Sequence, residues 1–346
     1  MEQLIRLSEE KLLQITASRK GETKFGERIV TVPDDVSVDD FLRNSDAKFV
    51  LFGVPEDIGV RANFGRAGTA SAYNNALKSL VNIQHNRYAK GYDLIVLGNI
   101  DTTIYQEKSK NLNLDNKEDL KELRNIVSQI DKEVAHLISI IVKNNKIPIV
   151  IGGGHNNSYG IIKGTALAKA YPINTINFDA HTDFRALEGR HSGNGFSYAY
   201  EEGFLNKYFI FGIHENYTSK GVLQCIKENQ SRIKYNTYEQ ITVRKEKSFS
   251  EELDFALEFI SDTDFGIEID LDSVENLPSS AMTLSGFSIE KVRRFLHVLA
   301  SDSKACYLHI CEGAPELSDE KNPNLVGKLI AYLITDFMKA KLSSED

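Results

Sequence analysis

The sequence predicts an α/β fold: a central, mostly parallel sheet covered by helices on both faces, a three-layer α/β/α arrangement. Three observations carry that reading. Seven short runs are continuously apolar rather than alternating, as expected of strands buried on both sides. Between several of them, apolar residues recur at three- and four-residue spacing, the period of an amphipathic helix. Strand and helix also alternate along the chain, which implies right-handed crossovers between parallel neighbours.

The predicted strands are residues 48–54 (KFVLFGV), 93–97 (DLIVL), 147–151 (IPIVI), 173–178 (INTINF), 208–213 (YFIFGI), 265–271 (FGIEIDL) and 305–310 (ACYLHI). The strongest helix spans 120–143, where Leu123, Ile126, Val127, Ile130, Val134, Leu137, Ile138 and Ile141 share one face. Residues 287–299 and 326–341 show the same period. The first 45 residues read as amphipathic helix and loop, with a short helix near 37–42. No repeat, low-complexity tract or Pro/Gly-rich linker divides the rest of the chain. The expected organisation is therefore an N-terminal helical extension over residues 1–45 and a single domain over 46–346.

Composition narrows the function classes. In 346 residues, 41% are hydrophobic and 26% charged, enough apolar material for a large core and too much for a disordered chain. Lys plus Arg total 41 against 49 Asp plus Glu, a net charge of -8, which argues against nucleic acid or an anionic membrane as partner. Cys225, Cys306 and Cys311 cannot build a disulfide framework and form no Cys-x-x-Cys pair. The opening MEQLIRLSEEKLLQ is charged throughout, unlike a signal peptide, and no run approaches ~18 apolar residues. A cytoplasmic protein with a small-molecule partner is the expectation.

In a parallel sheet the chemistry gathers at the carboxyl ends of the strands. Four predicted strands end in unusual clusters: Gly152-Gly153-Gly154-His155-Asn156-Asn157, Asp179-Ala180-His181-Thr182-Asp183, Asp270-Leu271-Asp272 and Cys311-Glu312-Gly313. In extended chain alternate side chains point the same way, so Asp179, His181 and Asp183 converge, and Asp270 and Asp272 share a face. With His155 this aims two imidazoles and four carboxylates at one crevice. Four carboxylates that close cannot all ionise without cations. Two divalent metals would supply the charge, and carboxylate-rich ligation suits Mn²⁺. Each motif alone has an ordinary structural explanation, such as a strand-end cap or a tight turn. All three in order, each after a predicted strand, do not.

These segments resemble the ureohydrolase family, which includes arginase, agmatinase and formimidoylglutamase. GGGHNNSYG is similar to the family's Gly-Gly-x-His segment, NFDAHTDFR to its Asp-Ala-His-x-Asp segment, EIDLDSVEN to its paired-Asp segment and LHICEGAPEL to its late glutamate segment. The resemblance spans roughly residues 49–316 and implies an arginase-like fold with two Mn²⁺ per chain. By position, His155, Asp179, Asp183 and Asp270 would hold one metal, and Asp179, His181, Asp270 and Asp272 the other. Glu268 is left as a flanking strand residue and a candidate support behind the ligands.

The resemblance also implies a mechanism. A metal-bridging water is acidified to hydroxide, Asp183 orients it and relays its proton, and Glu312 receives the cationic amidine. GVPEDIGVRANFGRAGTASA resembles the formimidoylglutamase form of the first family loop, making Arg61, Asn63 and Arg66 candidates to bind substrate, the arginines through a carboxylate. Arg190-His191-Ser192-Gly193-Asn194-Gly195-Phe196 resembles the substrate loop, with Ser192 and Asn194 as contacts. Arginase places a histidine proton shuttle just beyond; Gly195-Phe196 stand there instead, favouring formimidoylglutamase. Asp183, His191 and His214 are candidates to protonate the leaving nitrogen, and His85, His136, His297 and His309 are read as non-ligands. The expected reaction converts N-formimidoyl-L-glutamate to L-glutamate and formamide, a step of histidine degradation. Alternatives are an agmatinase, arginase or guanidino-acid hydrolase releasing urea, or a non-catalytic metal-binding protein on the same fold. Family members commonly form symmetric oligomers, so a homo-oligomer is also expected.

Overall fold

The structure, a computed structural model, describes residues 3–319 and 322–343. Among them, nine strands form one sheet: β1 (Leu4–Arg6), β2 (Phe49–Gly53), β3 (Leu94–Ile100), β4 (Ile147–Ile151), β5 (Ile173–Phe178), β6 (Leu205–Ile213), β7 (Ile233–Thr237), β8 (Phe265–Asp270) and β9 (Ala305–Cys311). Their spatial order is β1-β3-β2-β4-β9-β8-β5-β6-β7. Every neighbouring pair is parallel except β1 with β3. All seven predicted strands are present; β1 and β7 are additional. Both are edge strands, free of the need to be apolar on two faces, which is why a search for continuous apolar runs passes over them.

The α-helices are α1 (Glu9–Ile15), α2 (Val38–Asn44), α3 (Ile58–Ala62), α4 (Ala72–Val81), α5 (Thr103–Ser109), α6 (Lys117–Lys143), α7 (Asn157–Lys169), α8 (Gly195–Glu201), α9 (Lys220–Glu228), α10 (Phe249–Ile260), α11 (Ile289–Ala300) and α12 (Leu325–Ser343). They form two outer layers. On β2, Phe49 and Leu51 join the core beneath α4 and α12, whereas Val50 and Phe52 join the core beneath α6. That two-residue alternation across a doubly covered sheet is what continuous apolar strands require.

Helix α6 begins where Asn116 accepts the Glu118 and Asp119 N–H groups, satisfying donors that the first turn leaves open. Its buried face carries the eight aliphatic residues predicted. It packs on α7, where a Cβ on Gly164 would stand 2.5 Å from the Ala135 carbonyl oxygen. Only glycine lets the two helices approach that closely. The first residues add β1 to the sheet edge beside β3, while Ser37 caps α2 near the expected short helix.

After β4 the chain passes over two positions to lay down β5, and β8 and β9 later fill the gap. The consecutive strands β4-β9-β8-β5 therefore bring the four motif-bearing strand ends side by side.

Candidate metal centre and substrate cavity

The turn after β4 places His155. The carboxylate of Glu56, fully buried between β2 and α3, accepts the N–H groups of Gly59 and Gly154, each at 3.0 Å, and the amide groups of Asn156 at 3.2 Å and Asn157 at 2.9 Å. A Cβ on Gly153 would stand 1.8 Å from the Glu56 carbonyl oxygen. The glycine run thus lets the His155 turn press against the Glu56 loop. Glu56 escapes a sequence search because nothing nearby marks it as a partner for a turn 98 residues later.

His155 Nδ1 meets three carboxylate oxygens: Asp183 Oδ2 at 2.8 Å, Asp270 Oδ2 at 3.1 Å and Asp179 Oδ2 at 3.3 Å. One ring nitrogen has one proton at most and cannot satisfy three acceptors. Two ligands at right angles on a cation with bonds of about 2.1–2.2 Å stand about 3.0 Å apart, so these spacings suit ligands arranged around a cation. A second group joins Asp179, His181 and Asp272: His181 Nδ1 lies 3.1 Å from Asp272 Oδ2 and 3.5 Å from Asp179 Oδ1. Asp179 reaches both groups, one oxygen to each. Asp272 Oδ1 is buried without a hydrogen-bond partner. The donor set, two imidazoles and four carboxylates, fits two hard or borderline divalent cations.

One expected contact differs. Asp270 stands in the first group, but its other oxygen accepts the Asp272 N–H at 2.8 Å as the chain turns out of β8. Among the described residues Asp270 is not gathered with His181 and Asp272, and Asp179 is the residue that belongs to both groups.

The electrostatics point the same way. Burial disfavours the His155 cation, yet Cys311 and the carboxylates of Asp179, Asp183 and Asp270 hold it well above the usual imidazole range. His181 is raised likewise against its own burial, chiefly by Asp272 and Asp179. Burial and then the Asp179 charge push Asp183 up to about 6, and burial with Asp272 and Asp179 pushes Asp270 well up. The cluster thus holds protons where its carboxylates call for positive charge. Asp183 (φ 43°) and Glu312 (φ 62°) both adopt the left-handed conformation, which costs a non-glycine residue about 1–2 kcal/mol. Two such residues at one site indicate a geometry imposed by function.

Above the cluster opens a cavity of about 660 Å³. Asn63, Arg66, His181, Asp183, Ser192, Asp270, Asp272 and Glu312 line it, with Arg185, Tyr217 and Ser280. Glu312 is buried in its wall: Oε1 accepts the His155 N–H at 2.7 Å and Oε2 is bonded by the Ser280 hydroxyl. Asn63 donates to Ser192 Oγ at 3.2 Å and accepts from Arg185 at 2.6 Å.

Four sequence candidates lie elsewhere. The Arg61 guanidinium is held by the Ser109 hydroxyl and carbonyl, at 3.2 and 2.6 Å, because the turn of α3 points it toward α5. Asn194 uses its whole amide inside its loop, accepting from Arg190 at 2.5 Å and from the His191 N–H, and donating to the Ala186 and Gly189 carbonyls. Arg190 is itself fixed by Asp131 at 2.9 Å. His191 is buried, accepting the Gly193 N–H at Nδ1 and facing Glu188 at 3.1 Å through Nε2. Burial and the Arg185 charge hold it down to about 4. His214 is stacked between Tyr217 and Tyr238, with ring centroids 5.1 and 4.7 Å away, and does not line the cavity. None of the four lines the cavity. Arg185, which the sequence reading passes over, does. It stands two residues beyond Asp183, directly after a motif that the sequence already marks.

A three-layer sheet fold with a carboxylate–histidine cluster at its strand ends defines the class, and sequence comparison agrees. The arginase family's profile matches residues 47–336, and the chain belongs to the arginase family. Within it, the chain is 26% identical over 297 residues to the formimidoylglutamase of Macrococcus caseolyticus, covering 82% of this chain and 83% of that one. Among solved structures it shares its fold with formimidoylglutamase from Bacillus subtilis (TM-score 0.74, 18% identity, 95% of each chain). It also shares it with Trypanosoma cruzi formiminoglutamase with Mn²⁺ (TM-score 0.68, 18% identity, 92% of this chain and 98% of that one). Among the described residues, no helix is long and apolar enough to cross a membrane.

Proposed function

We propose that the protein hydrolyses the C–N bond of a linear amidine, converting N-formimidoyl-L-glutamate and water to L-glutamate and formamide, a step of histidine degradation. The carrying observation is the make-up of one cavity: a buried carboxyl, Glu312, beside the ligand cluster and two guanidinium groups, Arg66, bonded to the Ser280 carbonyl at 3.4 Å, and Arg185, on the same lining. That set of groups suits a substrate that carries both a cationic amidine and carboxylates. The similarity to curated formimidoylglutamases supports the same choice.

His155, Asp179, Asp183 and Asp270 would hold one Mn²⁺, and Asp179, His181 and Asp272 the other. Bound there, the pair supplies the charge that acidifies a water and offsets the clustered carboxylates. Glu312 binds the amidinium by charge-assisted hydrogen bonds, oriented by the His155 N–H and Ser280. Asp183 takes the proton of the attacking water and passes it to the leaving glutamate nitrogen. It keeps that task because His191 and His214, the other candidates, lie outside the cavity lining. Arg66, Arg185, Asn63 and Ser192 grip the glutamate carboxylates.

The test is a panel of formimidoylglutamate, arginine, agmatine, guanidinobutyrate and guanidinopropionate, each with Mn²⁺. Formamide and glutamate should appear from the first alone. Urea without formamide overturns the substrate, and no product from any compound overturns the hydrolase reading in favour of a non-catalytic metal-binding protein.

A further inference from the structure

Behind His155, away from the cavity, lies another fully buried carboxylate. Glu268 sits inside β8, in register with Asn177 of β5 and His309 of β9. Its Oε1 accepts the Tyr307 hydroxyl at 2.7 Å. Its Oε2 faces His309 Nδ1 at 2.5 Å and His155 Nε2 at 3.5 Å. Glu268, Tyr307, His309 and His155 are all shut off from solvent. A carboxylate buried in a sheet interior is costly unless charged or hydrogen-bonding partners surround it, and these do.

The two nitrogens of His155 face opposite demands. Nδ1 points into three carboxylate oxygens, where it can ligate a cation only through a lone pair. The ring proton must then reside on Nε2, which has no hydrogen-bond partner of its own. Of the groups near it, the Cys311 thiol points to the Ile269 carbonyl at 3.7 Å, and His309 meets Glu268 through Nδ1 while its own Nε2 has no partner. The charged acceptor nearest Nε2–H is Glu268 Oε2, at 3.5 Å.

We propose that Glu268 is a positioning residue for the metal centre. It accepts the His155 Nε2–H, fixes the tautomer that turns a lone pair toward Asp179, Asp183 and Asp270, and is held in place by Tyr307 and His309. The inference rests on the dinuclear reading above. Partners of this kind behind a ligating histidine are typically worth 10- to 100-fold in metal affinity.

The test titrates metal-free wild type and Glu268→Gln with Mn²⁺ against a fluorescent chelator and counts bound ions. Wild type should bind two. Glu268→Gln, similar in size but uncharged, should lose 10- to 100-fold in affinity at one site and keep the other, an asymmetry that general damage to the fold would not produce. Equal affinities in variant and wild type overturn the proposal. If wild type itself binds fewer than two ions, the dinuclear reading falls and this inference with it. Should Glu268→Gln fail to fold by circular dichroism, Tyr307→Phe decides. It frees one oxygen of Glu268, and a several-fold loss confined to the same site is expected; unchanged binding overturns the proposal.

Discussion

Glu312 Oε1 accepts the backbone N–H of His155 at 2.7 Å, tying the end of β9 to the turn that leaves β4. The residue proposed to bind the amidinium is thus aimed by the same turn that presents His155, a proposed metal ligand. Burial raises its carboxyl, the Ser280 and His155 bonds pull it back, and it settles at about 8. Glu312→Gln keeps an acceptor for the His155 N–H and removes the carboxyl that a bound amidinium would hold as its anion. A hydrogen bond to a charged group is worth about 1.5–3 kcal/mol, so kcat/KM for formimidoylglutamate should fall about 10- to 100-fold with two Mn²⁺ still bound. Steady-state kinetics with metal counting decides, and an unchanged kcat/KM removes Glu312 from the substrate site.

Arg185 and Arg61 make opposite predictions. Arg185 lines the cavity and bonds Asn63, whereas Arg61 is spent on Ser109. Arg185→Ala should raise KM for formimidoylglutamate about 10-fold or more, with a smaller change in kcat. Arg185→Lys should restore little, because an ammonium cannot match a carboxylate with two parallel donors. Arg61→Ala should leave KM unaltered. The side chain of Arg185 is 47% exposed, so its effect should shrink as salt rises. A KM shift in the Arg61 variant but not the Arg185 variants would reverse the assignment.

His191 gives a pH dependence independent of the metals. Its folded value is about 4, against an ordinary 6.5, because of burial first and the Arg185 cation next. The unfolded chain therefore binds a proton below 6.5 that the folded chain refuses down to about 4. The stability involved is fully present above pH 6.5 and is lost as pH falls toward 4, by an amount on the order of 3 kcal/mol. Urea unfolding of wild type and His191→Asn between pH 7 and 4 should show the gap between them closing as pH falls. A constant gap would mean that folding does not hold His191 below its ordinary value.

Much of the site is legible in sequence because strand ends make it so. Asp179, His181 and Asp183 follow directly on β5, which ends at Phe178, and the parallel sheet carries that end beside those of His155, Asp272 and Glu312, although the chain is not extended there and Asp183 is left-handed. What fails is inference within loops, where side chains turn inward to satisfy their own backbone. In a glycine-rich stretch Asn194 looks like a substrate contact and His191 like a proton donor, yet they hold that stretch together with Arg190. A short helical turn likewise sends Arg61 to Ser109 while leaving Arg66 at the cavity. Glu56 is silent for another reason: it acts on a turn 98 residues away in the chain, whereas Glu268 is marked by its place two residues before Asp270. Strand β7 (IKYNT) alternates polar and apolar residues at the sheet edge and carries no continuous apolar run.

Removing the metals should expose the charge problem that they solve. Asp183, pushed up to about 6, and Glu312, at about 8, are both raised above their unfolded values. A carboxyl with a raised folded value adds stability that is complete below its unfolded value and is lost as pH climbs through the folded one. The metal-free protein should therefore weaken as pH rises from about 4 to 8, first through Asp183 and, above pH 6, through Glu312. Cations replace the protons, so metal affinity strengthens over the same range. At 100 times its dissociation constant, Mn²⁺ adds about 2.7 kcal/mol per site. Calorimetry with EDTA and with excess Mn²⁺ should then give melting temperatures several degrees apart at pH 6 and further apart at pH 8.5. A difference that narrows with rising pH, or none at all, would mean that Asp179, Asp183, Asp270 and Asp272 do not gather around cations.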